Sequence, residues 1–507
     1  MSFEEKSKKW VKDNKYLFGI LVLAFLIRLF YFFQTGSQPL WWDEAEYMSM
    51  AKHIFFDVPF TLNPQRPILF PLLEGIVMAI FNRSEIMVRF ILVFLPSMVL
   101  VYVSYLLGKE MFNEKIGLMV AFLHSISWII IFNTTRVHTD LLAMLMLYFA
   151  MLLLWRFVQG NKKYVWLIGP LIILAFMTRL SSALFGFIIL AFLILVYKLD
   201  FLKEKKLWIA AVLGLIILTP FLVWGNSEFG STTAFLSGSH VTNPGSDYDR
   251  APGWHIATQV LPWLFAKPYG QWSILSLNGF IAVTSFLLFV IYFLVIVGIL
   301  ALSFDYLIKK GKEYKNKADL LIILWILVYL IYFIFLERDA EDRWLMPMAF
   351  ALFVILSKAI FFIKKQIKNS SAAKAFIIVV ILGLFFLQLS TADDLIVSRI
   401  SSYGPVKDSA LWVKERTGNN DTIMSQSFTQ FAYYSERRTL GYGGDDVSYF
   451  ENVLLTYKPK YAVASIFEAH PEWTFPYLQG DPERFVPVQA YNINEQPALV
   501  IFEIKYD

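Results

Sequence analysis

Apolar stretches about as long as a membrane is thick recur along most of this chain, and they constrain its fold more than any other feature. The first runs from Tyr16 to Phe33. A helix of about 20 apolar residues crosses a hydrocarbon core about 30 Å thick. Hydrophobic residues make up 57% of the 507 residues and charged residues 17%, which is far more apolar than a soluble domain. We therefore predict a polytopic α-helical membrane protein.

The lengths of the apolar runs predict eleven spans. They lie at 16–34, 86–107, 116–133, 140–158, 164–178, 181–197, 207–224, 279–303, 319–336, 344–363 and 375–390. Lysine and arginine cluster in alternate connections, for example at 198–206 and 309–317, and such an excess marks cytoplasmic loops. We therefore predict a multi-pass cell-membrane protein with a cytoplasmic N-terminus and with the intervening loops outside.

The C-terminal part of the chain has a different charge balance. Residues 391–507 hold 10 basic and 16 acidic side chains, against 35 and 24 in residues 1–390. Alternating patterns predict helices at 405–416 and 427–434 and strands at 422–425, 461–467 and 498–504. We therefore predict a transmembrane domain over 1–390 and a small extracytoplasmic α/β domain over 391–507. Arg437-Arg438 in this domain is either a contact for an anionic substrate or a solvated turn.

Two adjacent carboxylates, Asp43 and Glu44, follow the first apolar run in the motif Trp41-Trp42-Asp43-Glu44-Ala45-Glu46-Tyr47. Carboxylates at the edge of a membrane are costly and indicate a functional site. The alternative is an interfacial aromatic belt with a solvated loop after it. Helical spacing after the motif and a short apolar segment between Pro67 and Pro71 predict a two-helix lid in the interface plane. Arg66 at its edge contacts either a substrate or a lipid headgroup.

Three further outward turns carry charged side chains. Arg136, His138 and Asp140 precede the fourth span, where Asp140 is either a helix cap or a site residue. Arg179 lies between the apolar runs 164–178 and 181–197. It either extends to lipid headgroups or binds phosphate together with a helix N-terminus. Arg343 lies at the start of the tenth span. Its planar guanidinium either binds a phosphate or is only neutralised by the neighbouring acids. No inward loop shows this mixture, which indicates an active site on the outer side.

The order of these motifs resembles the GT-C membrane glycosyltransferases. The resemblance rests on Trp-Asp-Glu-Ala-x-Tyr, Arg-Pro-x-Leu-x-Pro-Leu-Leu, the turn with Asp140, the Thr-Arg break before the sixth span and Arg-Trp-Leu-x-Pro before the tenth. It covers residues 1–390 and is closest to the protein O-mannosyltransferase and aminoarabinose transferase branch, glycosyltransferase family 39. The chain lacks the Trp-Trp-Asp-Tyr-Gly motif of oligosaccharyltransferases, which disfavours that branch.

The resemblance implies transfer of a sugar from a polyprenyl-phosphate donor to a protein, lipid or glycan acceptor at the outer membrane face. That chemistry needs a base for the acceptor hydroxyl and cations for the departing phosphate. The residues then take three expected roles. Asp43 is the base of an inverting displacement, with Glu44 and Asp140 orienting the acceptor or the sugar hydroxyls; Arg343, Arg179, Arg136 and His138 hold the phosphate; Arg66 and Tyr47 belong to the acceptor site or lid.

Some alternatives stay open from sequence. A divalent metal is possible, with Asp43, Glu44, Asp140 and His138 as ligands. A lipid-linked sugar flippase is the alternative function, although such a transporter favours internal repeats and polar residues at mid-membrane. An enzyme that decorates a lipid or cell-wall polymer uses almost the same chemistry. The chain has no cysteine, which excludes disulfides, thiolate metal sites and a cysteine nucleophile.

Overall fold

A computed structural model describes residues 3–236, 252–265, 286, 289–299, 314–493 and 495–506. It has a large helical part, which begins with the helix Phe3–Asp13, and a small C-terminal part built around a five-stranded sheet. These elements match the predicted helical membrane protein with a small α/β domain.

In the described residues, eight helices are long and apolar enough to cross a membrane. They are Lys15–Gln34, Glu85–Met111, Asp140–Val158, Leu180–Tyr197, Lys205–Phe229, Lys317–Glu337, Asp342–Gln366 and Ser370–Val397. Each matches one of the eleven predicted spans, because long apolar runs at a rise of 1.5 Å per residue leave little choice of structure.

The other three predicted spans have different outcomes. The 116–133 run is two helices, Glu114–Ile126 and Trp128–Thr134, bent by 52°. The 164–178 run is the shorter apolar helix Val165–Thr178. Of the predicted span 279–303, the structure describes the helix Phe289–Ile299 and residue 286, and the rest lies outside the described residues.

The 52° bend occurs at Ser127, whose backbone leaves the helical conformation. A break in a helix leaves carbonyl groups without their usual amide partners. Buried Arg28, on the first span, donates hydrogen bonds to the carbonyls of Ser125 (2.9 Å) and His124 (3.0 Å). Gln388, on the last span, accepts the Trp128 amide at 2.8 Å. The broken helix is therefore stabilised by polar side chains on two other spans.

The connection between the first two spans contains the two predicted short helices, Trp42–Phe56 and Leu69–Ile80. A Cβ placed on Gly75 would lie 2.1 Å from the Phe55 ring, so glycine permits the close packing of this pair. Every residue from Glu44 to Lys52 is buried. The expectation that the first helix is part of a lid on the outer surface is therefore wrong, because a helix buried on all sides lies inside the protein.

The C-terminal domain is a mixed sheet with helices. Its helices are Gly404–Arg416, Phe428–Ser435, Ser448–Tyr457 and Thr474–Gly480, and its strands are β1 Thr422–Ser425, β2 Arg438–Leu440, β3 Tyr461–Ser465, β4 Phe485–Ile493 and β5 Gln496–Ile504. The strand order is β2-β1-β3-β5-β4; β1 is parallel to β2 and β3, and β5 is antiparallel to β3 and β4. The sequence did not predict edge strands β2 and β4, since one has three residues and the other contains Pro487.

This domain covers the Trp42–Phe56 helix. Lys52 donates from Nζ to the Tyr433 carbonyl at 2.9 Å and pairs with Glu436 at 2.8 Å. The Tyr434 hydroxyl accepts the Leu40 amide at 2.8 Å. Arg437 is buried and donates to carbonyls within the domain, so it is not a solvated turn residue, whereas Arg438 is exposed. The contacts of Leu40 and Lys52 hold the Trp42–Phe56 helix against the C-terminal domain.

Candidate active site

Asp43 lies in the first turn of the Trp42–Phe56 helix, with one guanidinium on each carboxylate oxygen. Its Oδ1 lies 2.6 Å from Arg66 Nη2, and its Oδ2 lies 2.6 Å from Arg343 Nη2. Burial alone would raise the pKa of Asp43, but Arg66 and Arg343 outweigh it and hold the pKa of that carboxyl well below its usual range. Asp43 is therefore ionised at any physiological pH.

Arg66 is held by a second carboxylate on the same helix face. Its Nε donates to Glu46 Oε2 at 2.7 Å, and Asn63 donates to Glu46 Oε1 at 2.6 Å. The Arg66 guanidinium also lies 5.4 Å from the centre of the Tyr47 ring. Glu46 has no role predicted from the sequence, although its spacing of three from Asp43 places both on one helix face.

Arg343 has two carboxylate partners. Besides Asp43, its Nε donates to Glu341 Oε2 at 2.6 Å. The Glu341 side chain is 54% exposed, whereas Arg343 is 20% exposed. The acids beside Arg343 in sequence therefore neutralise it only in part, and the partner that lies deeper in the protein is Asp43, 300 residues away in sequence.

Glu44 is fully buried and has a structural role. Its carboxylate accepts the amides of Trp41 (2.7 Å) and Val137 (3.0 Å) and lies 3.6 Å from Arg136 Nη1. Neighbouring residues on a helix point about 100° apart, so Glu44 and Asp43 face different surroundings. Glu44 was expected to contact the acceptor or the sugar. It cannot do so in this structure, because its side chain has no exposed surface.

The turn before the fourth span contributes one cavity residue. Arg136 is buried with its guanidinium 3.6 Å from the Trp41 ring centre, and it does not line the cavity described below. His138 does line it, and its Nδ1 is 3.1 Å from Asn133 Oδ1. Burial and the nearby Arg343 charge hold the pKa of His138 well below its usual range. His138 is therefore a neutral hydrogen-bonding group here and not a phosphate-binding cation.

Asp140 and Arg179 form a second ion pair. Arg179 Nη1 lies 2.7 Å from Asp140 Oδ1, and the two side chains are 16% and 3% exposed respectively. Arg179 sits at the predicted break, between Val165–Thr178 and Leu180–Tyr197, where its backbone is extended. It therefore points to Asp140 instead of snorkelling to headgroups.

A cavity of about 500 Å³ opens beside Asp43. Charged and polar side chains form one part of its wall and aromatic rings form another. The lining residues are Trp41, Trp42, Asp43, Trp128, Ile129, Phe132, Asn133, His138, Trp263, Ala340, Glu341, Asp342, Arg343, Arg399 and Tyr403. The sequence analysis did not predict Trp128, Trp263, Arg399 or Tyr403, because nothing local relates them to the outer turns.

A neighbouring cavity of about 510 Å³ lies between residues 53–61 and the C-terminal domain. Its lining includes His53 and Arg438 but no Asp or Glu. The edge-to-face pair of Trp42 and Phe428, with ring centres 4.6 Å apart, contributes one ring to each cavity. Of these two cavities, the one beside Asp43 combines carboxylates with guanidiniums, so it is the better candidate for a reaction centre.

The four side chains considered as metal ligands do not fit a metal. Asp43 and Asp140 face guanidiniums, Glu44 accepts two backbone amides, and His138 is close to Arg343. Within the described ranges, no group of three or more His, Asp or Glu side chains is arranged to hold an ion. A divalent cation would have to displace guanidiniums from carboxylates that they already neutralise.

Comparisons with known proteins identify a related family for one part of the chain. Residues 65–224 match the model of the family described as dolichyl-phosphate-mannose-protein mannosyltransferase. No curated protein sequence matches the chain.

Solved membrane enzymes share the fold. ArnT from Cupriavidus metallidurans, bound to undecaprenyl phosphate, superimposes with a TM-score of 0.65 at 12% identity, covering 95% of this chain and 98% of that one. The Archaeoglobus fulgidus oligosaccharyltransferase AglB, in complex with an inhibitory peptide and a dolichol-phosphate, gives 0.60 at 15% identity, covering 98% and 75%. At these identities, the similarity establishes the architecture over almost the whole chain.

Proposed function

Because the chain has the fold of the GT-C membrane glycosyltransferases, we propose that it transfers a sugar from a polyprenyl-phosphate donor to a hydroxyl acceptor at the outer face of the cell membrane. The observation that carries this proposal is the position of Asp43, between Arg66 and Arg343 at the wall of one cavity. A carboxylate and two guanidiniums are the groups that this reaction needs.

Two observations support a polyprenyl-phosphate donor: the arginine at the cavity wall and the lipids bound by the solved proteins of the same fold. Undecaprenyl phosphate and dolichol-phosphate are bound by the two solved proteins named above. In this chain, Arg343 presents a planar fork to the cavity, and such a fork binds phosphate oxygens in pairs. The exposed Glu341 is an exchangeable partner, because an ion pair near solvent is worth about 0–1 kcal/mol. A lipid phosphate can therefore take its place at small cost.

The reaction is a single displacement at the anomeric carbon. The bond from the acceptor oxygen to that carbon forms, the bond to the phosphate oxygen breaks, and the lipid phosphate leaves with the electron pair. Asp43 accepts the proton of the acceptor hydroxyl, on the side opposite the leaving group, so the configuration inverts. Arg343, which lines the cavity, stabilises the charge that develops on the phosphate, while Arg66 holds Asp43 in place.

The pairing of Asp43 with two guanidiniums links donor binding to its basicity. While both guanidiniums face Asp43, its low pKa makes it a weak base. A donor phosphate that draws Arg343 towards itself weakens that restraint, and the pKa of Asp43 then rises towards its ordinary value. Asp43 thus becomes a competent base when the donor is in place, which also limits premature reaction with water.

The remaining predicted residues support this centre. The Asp140–Arg179 pair and Glu44 fix the turn and the helix that carry the reacting groups, and His138 orients a hydroxyl by hydrogen bonding. The aromatic rings of Trp41, Trp42 and Trp263 offer flat apolar surfaces to a sugar ring. The acceptor is a protein, lipid or glycan hydroxyl.

A transfer assay with stereochemical readout tests the function. Purified protein in nanodiscs is incubated with a panel of polyprenyl-phosphate sugars and candidate acceptors, and the anomeric configuration of the product is measured by NMR. We expect transfer with inversion and release of the lipid phosphate. Movement of the intact lipid-linked sugar across the bilayer without cleavage would instead indicate a flippase, and retention would contradict single displacement.

A further inference from the structure

The second guanidinium in the cavity wall, Arg399, belongs to no motif described above. It follows the last span, Ser370–Val397, and precedes the helix Gly404–Arg416. Its side chain is half-buried and lines the same cavity as Asp43 and Arg343. It therefore reaches the candidate site from the connection between the membrane part and the C-terminal domain.

Arg399 differs from the other guanidiniums of this region in its partners. Arg66, Arg136, Arg179 and Arg343 each have a carboxylate oxygen within 3.6 Å. Arg399 forms no ion pair and donates no side-chain hydrogen bond within the part of the chain that the structure describes. Arginine carries five N–H donors and a permanent charge, so this side chain has unused binding capacity at the cavity wall.

Aromatic contacts hold Arg399 in place without neutralising it. Its guanidinium carbon lies 5.9 Å from the Trp41 ring centre and 5.8 Å from the Phe132 ring centre. Both rings also line the cavity. Contacts of this kind orient a guanidinium while leaving its in-plane donors free for an oxyanion.

From these observations we infer that Arg399 binds a phosphate group inside the cavity, as an anion-binding residue separate from the Asp43–Arg343 pair. This inference rests on the proposed function only for the source of the phosphate. That source is either the lipid phosphate of the donor or a phosphate carried by the acceptor. In both cases, the free fork of Arg399 takes two phosphate oxygens without first breaking an ion pair.

Equilibrium binding with two probes tests this inference. The probes are undecaprenyl phosphate and inorganic phosphate, applied to the full chain in nanodiscs of zwitterionic lipid. For Arg399→Gln we expect about a tenfold to hundredfold loss of affinity for undecaprenyl phosphate, because a charge-assisted pair of hydrogen bonds is lost. Arg399→Lys keeps the charge but not the fork, so its affinity should be intermediate.

Two controls separate binding from folding. Arg416 also lies over a ring, 4.2 Å from the centre of Trp412, but it pairs with Glu415 and does not line the cavity. Arg416→Gln should therefore bind both probes as the wild type does. Undecaprenol, which lacks the phosphate, should bind equally to wild type and Arg399→Gln, whereas a merely structural role for Arg399 would weaken both lipids together.

The outcomes also distinguish the two sources of phosphate. A loss confined to undecaprenyl phosphate, or shared by both probes, supports the donor phosphate; a loss confined to inorganic phosphate supports a phosphate on the acceptor. Unchanged affinity for both probes, a matching loss for undecaprenol, or a wild type that binds neither probe would overturn the inference. These readouts need no sugar transfer, so the proposed function can fail in the transfer assay while Arg399 still binds phosphate.

Discussion

Asp43→Asn should lower the rate of sugar transfer by about 10²–10⁴-fold while the protein still binds its donor lipid. The amide cannot accept the acceptor proton, and general base catalysis typically contributes a factor of this size. The substitution also removes the negative charge between Arg66 and Arg343. Arg343 then keeps the exposed Glu341 as its carboxylate partner, so the affinity for a polyprenyl phosphate should be unchanged or higher. Single-turnover transfer and equilibrium binding measure the two effects separately.

The matched control is Asp394→Asn, which makes the same change at an exposed position near the C-terminal end of the last span. It should transfer sugar at the wild-type rate. If Asp43→Asn transfers as fast as this control, Asp43 is not the base. If it loses donor binding together with transfer, its role is to hold the site together instead.

Glu44→Ala should produce the largest loss of stability among substitutions in this region, about 3–5 kcal/mol. The carboxylate is fully buried, and its removal leaves the Trp41 and Val137 amides without their acceptor. It also leaves buried Arg136 without a carboxylate partner. An unpaired buried charge is much more costly than a lost surface pair. The thermal unfolding temperature of the purified protein, measured in one detergent for all variants, reports the change.

Glu415→Ala provides the comparison, since this carboxylate is 75% exposed and pairs with an exposed arginine. Its unfolding temperature should stay close to that of the wild type. An equal shift for the two variants would mean that Glu44 does not connect the Trp42–Phe56 helix to the turn before the fourth span.

The helical bundle could be predicted from the sequence because membrane spans are governed by local composition. Eight apolar runs became long helices at the expected places. The bend at Ser127 could not be predicted, because it depends on Arg28 and Gln388, two side chains on distant spans. The same limit applied to edge strand β2, whose three residues carry no periodic pattern.

The parts of the candidate site that could be predicted are those where charged residues lie unusually close to the membrane. Asp43, Arg343, Asp140 and Arg179 stood out as charges at span ends, and the structure brings them into two ion pairs. Glu44 looked equivalent to Asp43 in sequence, but helix geometry turns it into the protein interior. Arg399 was missed because an arginine after a last span is ordinarily a headgroup contact, and only the fold places it beside Trp41.

The most direct measurement is the structure of the protein with undecaprenyl phosphate bound. We expect the phosphate inside the cavity, within hydrogen-bonding distance of Arg343, with the contact between Arg343 and Asp43 Oδ2 opened and the Asp43 carboxylate facing the space where a sugar would sit. A phosphate bound outside this cavity, with Asp43 still held between Arg66 and Arg343, would contradict the proposed transfer site.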